Sequence, residues 1–152
     1  MILGKTTVEI PAHMKIAMSQ IGQAEIDGEK HNERILEYIS RTTIRPLTDE
    51  IPWCAAFVNW VVEEAGYRGT KSALARSFLE WGRILRRGNM RHGDILIFKR
   101  GTKSWQGHVA FFVCDIGHSA VVLGGNQANS VCYRAYPWSD LLGIVRPCQK
   151  ML

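Results

Sequence analysis

No run of apolar residues in this chain approaches the roughly 20 needed to cross a bilayer as a helix, so stable membrane insertion is not expected. The N-terminus, MILGKTTVEIPAHMKIAMSQ, has neither the charged start nor the long apolar stretch of a secretory signal. The protein is therefore expected to be synthesised in a cytoplasm, and a substrate outside it would be met after release or export. No Pro- or Ser-rich linker, internal repeat or low-complexity tract divides the sequence, so residues 1–152 read as a single domain. That length can bury a core without disulfide or metal staples. The four cysteines, Cys54, Cys114, Cys132 and Cys148, contain no C-x-x-C pair, which excludes a zinc ribbon or a thioredoxin motif.

Acidic residues are outnumbered. Nineteen Lys and Arg against 14 Asp and Glu give a net charge of +5 and a sequence pI near 9.2. That balance favours an anionic partner: a wall polymer, a nucleic acid or lipid head groups. No nucleic-acid motif accompanies it, and the basic residues are scattered apart from Arg83, Arg86, Arg87 and Arg91. Hydrophobic residues at 46% and charged residues at 22% place the chain among ordinary globular proteins.

The order of elements carries information. Met14, Ile16, Ala17, Met18 and Ile21 give a helical pattern from His13 that Gly22 ends. Asn32 is a plausible N-cap for a helix holding Ile35, Leu36 and Ile39. Pro46, Asp49 and Pro52 read as a loop, and from Cys54 to Ala65 the chain is again helical, stopped by Gly66. A short helix is expected after Ser72, with Leu74, Phe78 and Trp81 on one face. Beyond Gly93 the character changes. Segments 94–98, 108–113, 120–123, 131–135 and 142–145 read as strands. Helices followed by a run of short strands predict an α+β fold, with N-terminal helices packed on a C-terminal antiparallel β-sheet.

Among the cysteines only Cys54 has unusual surroundings. Cys114 and Cys132 sit in apolar, strand-like stretches and read as small buried hydrophobes. A thiol at a helix N-terminus is favoured as thiolate by the helix dipole, and the unpaired first-turn amides can donate to an oxyanion. Such a nucleophile needs a base. His13, His31, His92 and His118 lie in polar or loop contexts, whereas His108 follows Gly107 and opens the apolar strand Val109 to Val113. An imidazole held there can take the thiol proton and later protonate a leaving amine. Asn126, after Gly124-Gly125, is the first choice for the residue that orients the ring, and Gln127 is its competitor.

The stretch Pro52-Trp53-Cys54-Ala55-Ala56-Phe57-Val58-Asn59-Trp60 resembles the nucleophile helix of the small CHAP-like and NlpC-like cysteine hydrolases of bacteria and phages. Gly93-Asp94-Ile95, Gly107-His108-Val109-Ala110 and Leu123-Gly124-Gly125-Asn126-Gln127 follow in the same order. The resemblance implies a papain-like fold, no metal or other cofactor, and hydrolysis of an amide bond in bacterial peptidoglycan. It implies Cys54 and His108 as the essential pair, with Asn126 third. Many CHAP domains have a glutamate before that asparagine, where this chain has Gly124-Gly125, so Gln127 stays open. A phage endolysin or an exported antibacterial effector, the latter with an immunity protein as partner, would fit such a chain.

Asp49 and Glu50 upstream of the nucleophile, Trp53 beside it, and Trp105 on the loop before His108 are candidates for contact with substrate, as is Gln127. Two other classes remain open. One is a papain-like hydrolase or transferase acting on a non-wall substrate. The other is a non-catalytic wall-binding domain.

Overall fold

A computed structural model of the protein describes residues 9–28, 30–45 and 52–148. Three α-helices come first: α1 (Ala12–Ser19), α2 (Glu33–Ser40) and α3 (Cys54–Glu64). Six strands follow: β1 (Arg83–Leu85), β2 (Ile95–Lys99), β3 (Gly107–Asp115), β4 (Ser119–Gln127), β5 (Ser130–Pro137) and β6 (Leu141–Arg146). They form one antiparallel sheet in the order β1-β6-β2-β3-β4-β5. The expected α+β architecture, helices first and antiparallel sheet second, is what the chain adopts.

Local chemistry explains most of the boundaries. The Asn32 side chain accepts from the amides of Arg34 and Ile35, capping α2 as its position predicts. Helix α3 differs, because no side chain caps it and Trp53 occupies the N-cap. Nine of its eleven residues, Cys54 to Val62, are buried. A helix so enclosed sits inside the molecule, between the sheet and the other helices, and it packs on β3 and β4 as well as on α1 and α2.

Asn59, fully buried within α3, would be costly without partners. Its amide nitrogen donates to the carbonyls of Ala55 and Ser72, and its oxygen accepts from the amides of Thr70 and Lys71. The loop after α3 is thereby fastened to the helix.

The two faces of the sheet are filled differently. Ile95, Ile97, Val109, Phe111, Leu123 and Val145 point toward the helices. The alternate residues Leu96, Phe98, Ala110, Phe112 and Val122 make a second apolar cluster, flanked by Tyr136 and Trp138. At the far end of β2 the buried Asp94 receives both nitrogens of an Arg146 fork, at 2.7 and 2.8 Å, and the amide of Arg91 at 2.6 Å. The Gly93-Asp94 pair is thus an anchor between β2 and β6.

Four expectations change. The helix after Ser72 is a single 3-10 turn, Ala75–Phe78, and Leu74 is exposed rather than on its buried face. Strand β1 was not expected, because three residues at a sheet edge with an exposed Ile84 give no alternation to read. Cys114 is exposed and Cys132 half-buried, since both lie toward the solvated side of their strands; all four cysteines are free. His13, expected in a polar or loop context, is buried in α1, with its Nε2 2.7 Å from the Gly93 carbonyl oxygen.

Candidate active site

Cys54 is the first residue of α3 and is 4% exposed. The first α3 amide with a helical acceptor is that of Phe57, bonded to Trp53 O, so the amides before it have no partner within the helix. The Cys54 thiol lies against the backbone amides of Val109 and Ala55 and its own. Val109 follows His108, so the start of α3 and the start of β3 meet at this point. Two segments more than 50 positions apart in sequence converge there, as their pairing required.

His108 is 1% exposed, and its ring stacks on Tyr136 with centroids 4.6 Å apart. Its Nε2 is 2.8 Å from Gln127 Oε1. The Gln127 amide nitrogen in turn donates to the carbonyl of Cys132 at 2.6 Å. A carbonyl only accepts, so the amide orientation is fixed, Oε1 faces the ring, and His108 carries its proton on Nε2. The other ring nitrogen, Nδ1, is buried and has no hydrogen-bond partner. With the proton on Nε2, this nitrogen carries the ring's lone pair.

Gln127, not Asn126, holds the ring, and the reason lies in the β4–β5 ladder. Gly124 pairs with Cys132, and Gln127 pairs with Ser130. Two residues on β4 therefore oppose one on β5, a bulge that shifts the side-chain alternation by one. In a regular strand Asn126 would share the face of Val122 and Gly124; after the bulge Gln127 does. Asn126 itself takes a φ of 56°, which asparagine tolerates better than most residues, and lines the cleft outside.

Both glycines before it are required. A Cβ on Gly124 would stand 2.6 Å from Gln127 Oε1, and one on Gly125 would stand 2.7 Å from Phe57 Cβ and from the Trp53 ring.

Burial controls the charges. It pushes the Cys54 thiol above its ordinary pKa, opposed by the amides of Val109 and Ala55, by the positive Arg100 and by its own amide. It pushes His108 down to about 4; the Gln127 hydrogen bond works against this, and Arg100 and Arg134 add to it. Burial thus favours the neutral form of both groups.

The pair opens onto a cleft with two lobes. The larger, about 710 Å³, is lined by His108, Asn126, Tyr136, Arg100 and Arg134 among others. The smaller, about 290 Å³, is lined by Cys54, Leu74, Ala75, Trp105 and Gly107. Pro52 and Arg100 belong to both. Trp105, 55% exposed, stands on the smaller lobe as a wall that a ligand can touch.

Trp53 does not line the cleft. It is fully buried and donates to Glu25 Oε1 at 2.8 Å, so it belongs to the core. Gln127, at 1% exposure, supports the histidine from behind rather than facing a substrate. Asp49 and Glu50 lie outside the described residues. Tyr136, which packs over the His108 ring, and Arg134 were not singled out by the sequence, whereas Arg100 lies on the loop before His108 that the sequence offers for substrate contact.

Residues 47–126, just over half of the chain, match the model of the CHAP domain. This chain belongs to the CHAP domain family. The CHAP match spans Cys54, His108 and Asn126 and stops one residue short of Gln127. No curated protein matches the chain significantly.

Among solved structures, a wild type endolysin, LysIME-EF1, is similar with a TM-score of 0.59 at 12% identity over 91% of this chain and 65% of its own. An NlpC/P60 family protein of Bacillus cereus gives 0.55 at 13% identity over 91% of this chain and 41% of its own. The peptidoglycan hydrolase RipB of Mycobacterium tuberculosis gives 0.54 at 14% identity over 91% and 64%. The chain thus spans less than two thirds of each of these proteins, and the likeness identifies the papain-like fold of NlpC/P60 proteins.

Proposed function

We propose that this CHAP domain is a cysteine hydrolase that cleaves an amide bond in the stem peptide of bacterial peptidoglycan. The observation that carries the reading is Cys54 at an uncapped helix start, its thiol against the amide of Val109, with the preceding His108 held at Nε2 by Gln127 and left without a partner at Nδ1 among the described residues. A core histidine satisfied for stability would have no reason to leave that nitrogen bare and buried.

In this mechanism Nδ1 of His108 takes the thiol proton as Cys54 Sγ attacks the carbonyl carbon. The unpaired amides at the start of α3 stabilise the oxyanion. The imidazolium then returns the proton to the leaving amine, and a thioester remains on Cys54. A water, deprotonated by His108, attacks the thioester and releases the acid and the thiol. Gln127 Oε1 keeps the ring in one tautomer and supports the transient positive charge.

Peptidoglycan as the substrate class rests on family membership and on similar proteins described as a peptidoglycan hydrolase and an endolysin. An endolysin is the role we favour over an exported effector with its immunity protein. The net charge of +5 suits an anionic wall polymer.

The test is digestion of purified peptidoglycan by the wild type and by Cys54→Ala, with products weighed by mass spectrometry. Fragments from the wild type alone are expected, and their masses would separate an N-acetylmuramoyl-L-alanine amidase from an endopeptidase. No release by either protein, across pH and with reductant present, would sink the assignment.

A further inference from the structure

Cations line the larger lobe of the cleft, and they are not equivalent. Lys99 Nζ lies 3.7 Å from Asp140 Oδ1, so a carboxylate already accompanies it. Glu25, the other acid of the lobe among the described residues, accepts the indole N–H of Trp53. The side chains of Arg100, just beyond β2, and Arg134, on β5, make no ion pair or hydrogen bond among the described residues, and both residues are exposed. They stand on different elements, and both act electrostatically on the buried His108. Arg100 also borders the lobe that holds Cys54.

Two unpaired guanidinium groups beside a neutral thiol and imidazole raise the energy of any positive charge that forms on His108. An arriving anion would remove that penalty. The planar fork of arginine fits a carboxylate with two parallel hydrogen bonds. The smaller lobe, walled by Leu74, Ala75 and Trp105, offers no charge besides Arg100 among the described residues and suits an uncharged group. The β2–β3 loop that begins at Arg100 is itself tied down, since Arg76 Nε donates to the Gln106 carbonyl at 2.7 Å.

We infer that the larger lobe is a carboxylate subsite, in which Arg100 and Arg134 take a free carboxylate of an acidic peptide beside the bond that Cys54 attacks. The inference rests on the hydrolase reading of the same cleft and sharpens it: the enzyme selects stem peptides whose side carboxylate is free over those in which it is a carboxamide.

The experiment uses a pair of synthetic stem peptides identical except for that group, acid or amide. Their binding to full-length Cys54→Ala protein is measured by calorimetry at low and at moderate salt. The acid is expected to bind at least about tenfold more tightly, as charge-assisted bidentate pairs do, with the preference shrinking as salt rises. In Cys54→Ala carrying Arg100→Gln and Arg134→Gln the preference should vanish. Thermal melts check that this variant is folded, and the same two changes made singly provide the comparison if it is not.

Equal binding of acid and amide, a preference that survives both changes, or no binding of either peptide would overturn the inference. Cleavage of the pair by wild type reads the parent assignment separately. Selective binding without cleavage would keep the subsite and remove the hydrolase, whereas equal binding with equal cleavage would do the reverse.

Discussion

Two histidines are buried at opposite ends of the same sheet, and they make a controlled comparison. His13 and His108 are 7% and 1% exposed, burial lowers the pKa of both, and each has its Nε2 on an oxygen, the Gly93 carbonyl at 2.7 Å or Gln127 at 2.8 Å. Their surroundings then diverge. His13 leans on Phe111 and on the anchored Gly93-Asp94 corner, where Asp94 is satisfied by Arg146. His108 precedes the residue whose amide meets the Cys54 thiol, leaves Nδ1 unpartnered among the described residues and lines a cleft with two unpaired arginines. Burial and a lowered pKa therefore do not mark a catalytic group. On the proposed reading, the unpartnered nitrogen near a thiol is what sets His108 apart.

The largest expected effect separates the two rings by function. His108→Gln should lower kcat on peptidoglycan by about 10³-fold or more, as loss of a general base does in comparable triads. His13→Gln should leave kcat within about twofold while lowering unfolding free energy by about 1–2 kcal/mol through the lost buried hydrogen bond. Turbidity assays beside urea melts would read both; a comparable loss of activity in the His13 variant would break the contrast.

Acid should expose the His108 environment next. Its folded pKa of about 4 lies below the ordinary 6.5, so the unfolded chain binds the proton more readily between those values. The contribution to stability is present above pH 6.5 and is lost as pH falls toward 4, about 3 kcal/mol in all. His13 adds in the same direction. Urea unfolding at pH 7 and pH 4 should show a smaller pH dependence in His108→Gln than in wild type. An unchanged dependence would mean that the folded protein does not hold the ring neutral.

The smallest effect concerns the support for the ring. Gln127→Ala should cost about 10–100-fold in kcat, with KM little changed, because the residue positions the histidine without meeting substrate. Gly124→Ala should do much the same, since its Cβ would press on Gln127 Oε1. Asn126→Ala, altering a residue on the cleft wall, should leave the His108–Gln127 bond intact. A larger loss in kcat for Asn126→Ala than for Gln127→Ala would return the third role to Asn126.

Much of this architecture was legible in the chain. The α2 cap at Asn32, the α3 start at Cys54 and the five longer strands follow from local signals: side-chain capping, helical spacing and apolar alternation. Those signals act over a few residues, so the sequence carries them whole. Cys54 and His108 could be singled out because each stands at the start of a regular element, the first residue of α3 and the second of β3, where a backbone end turns toward the site.

What the sequence left open was decided by contacts across strands. It offered both Asn126 and Gln127, and a bulge opposite Val131 chose Gln127 by shifting the alternation one residue. It offered Trp53 as a wall of the cleft, and the packing of α3 turned that ring into the core. It scattered Arg100 and Arg134 among 19 basic residues, and only the sheet order brought both to the rim around His108. Period and capping are properties of neighbours in the chain. Register, burial and the company of charges are set by residues far apart in it, and these depend on the whole fold.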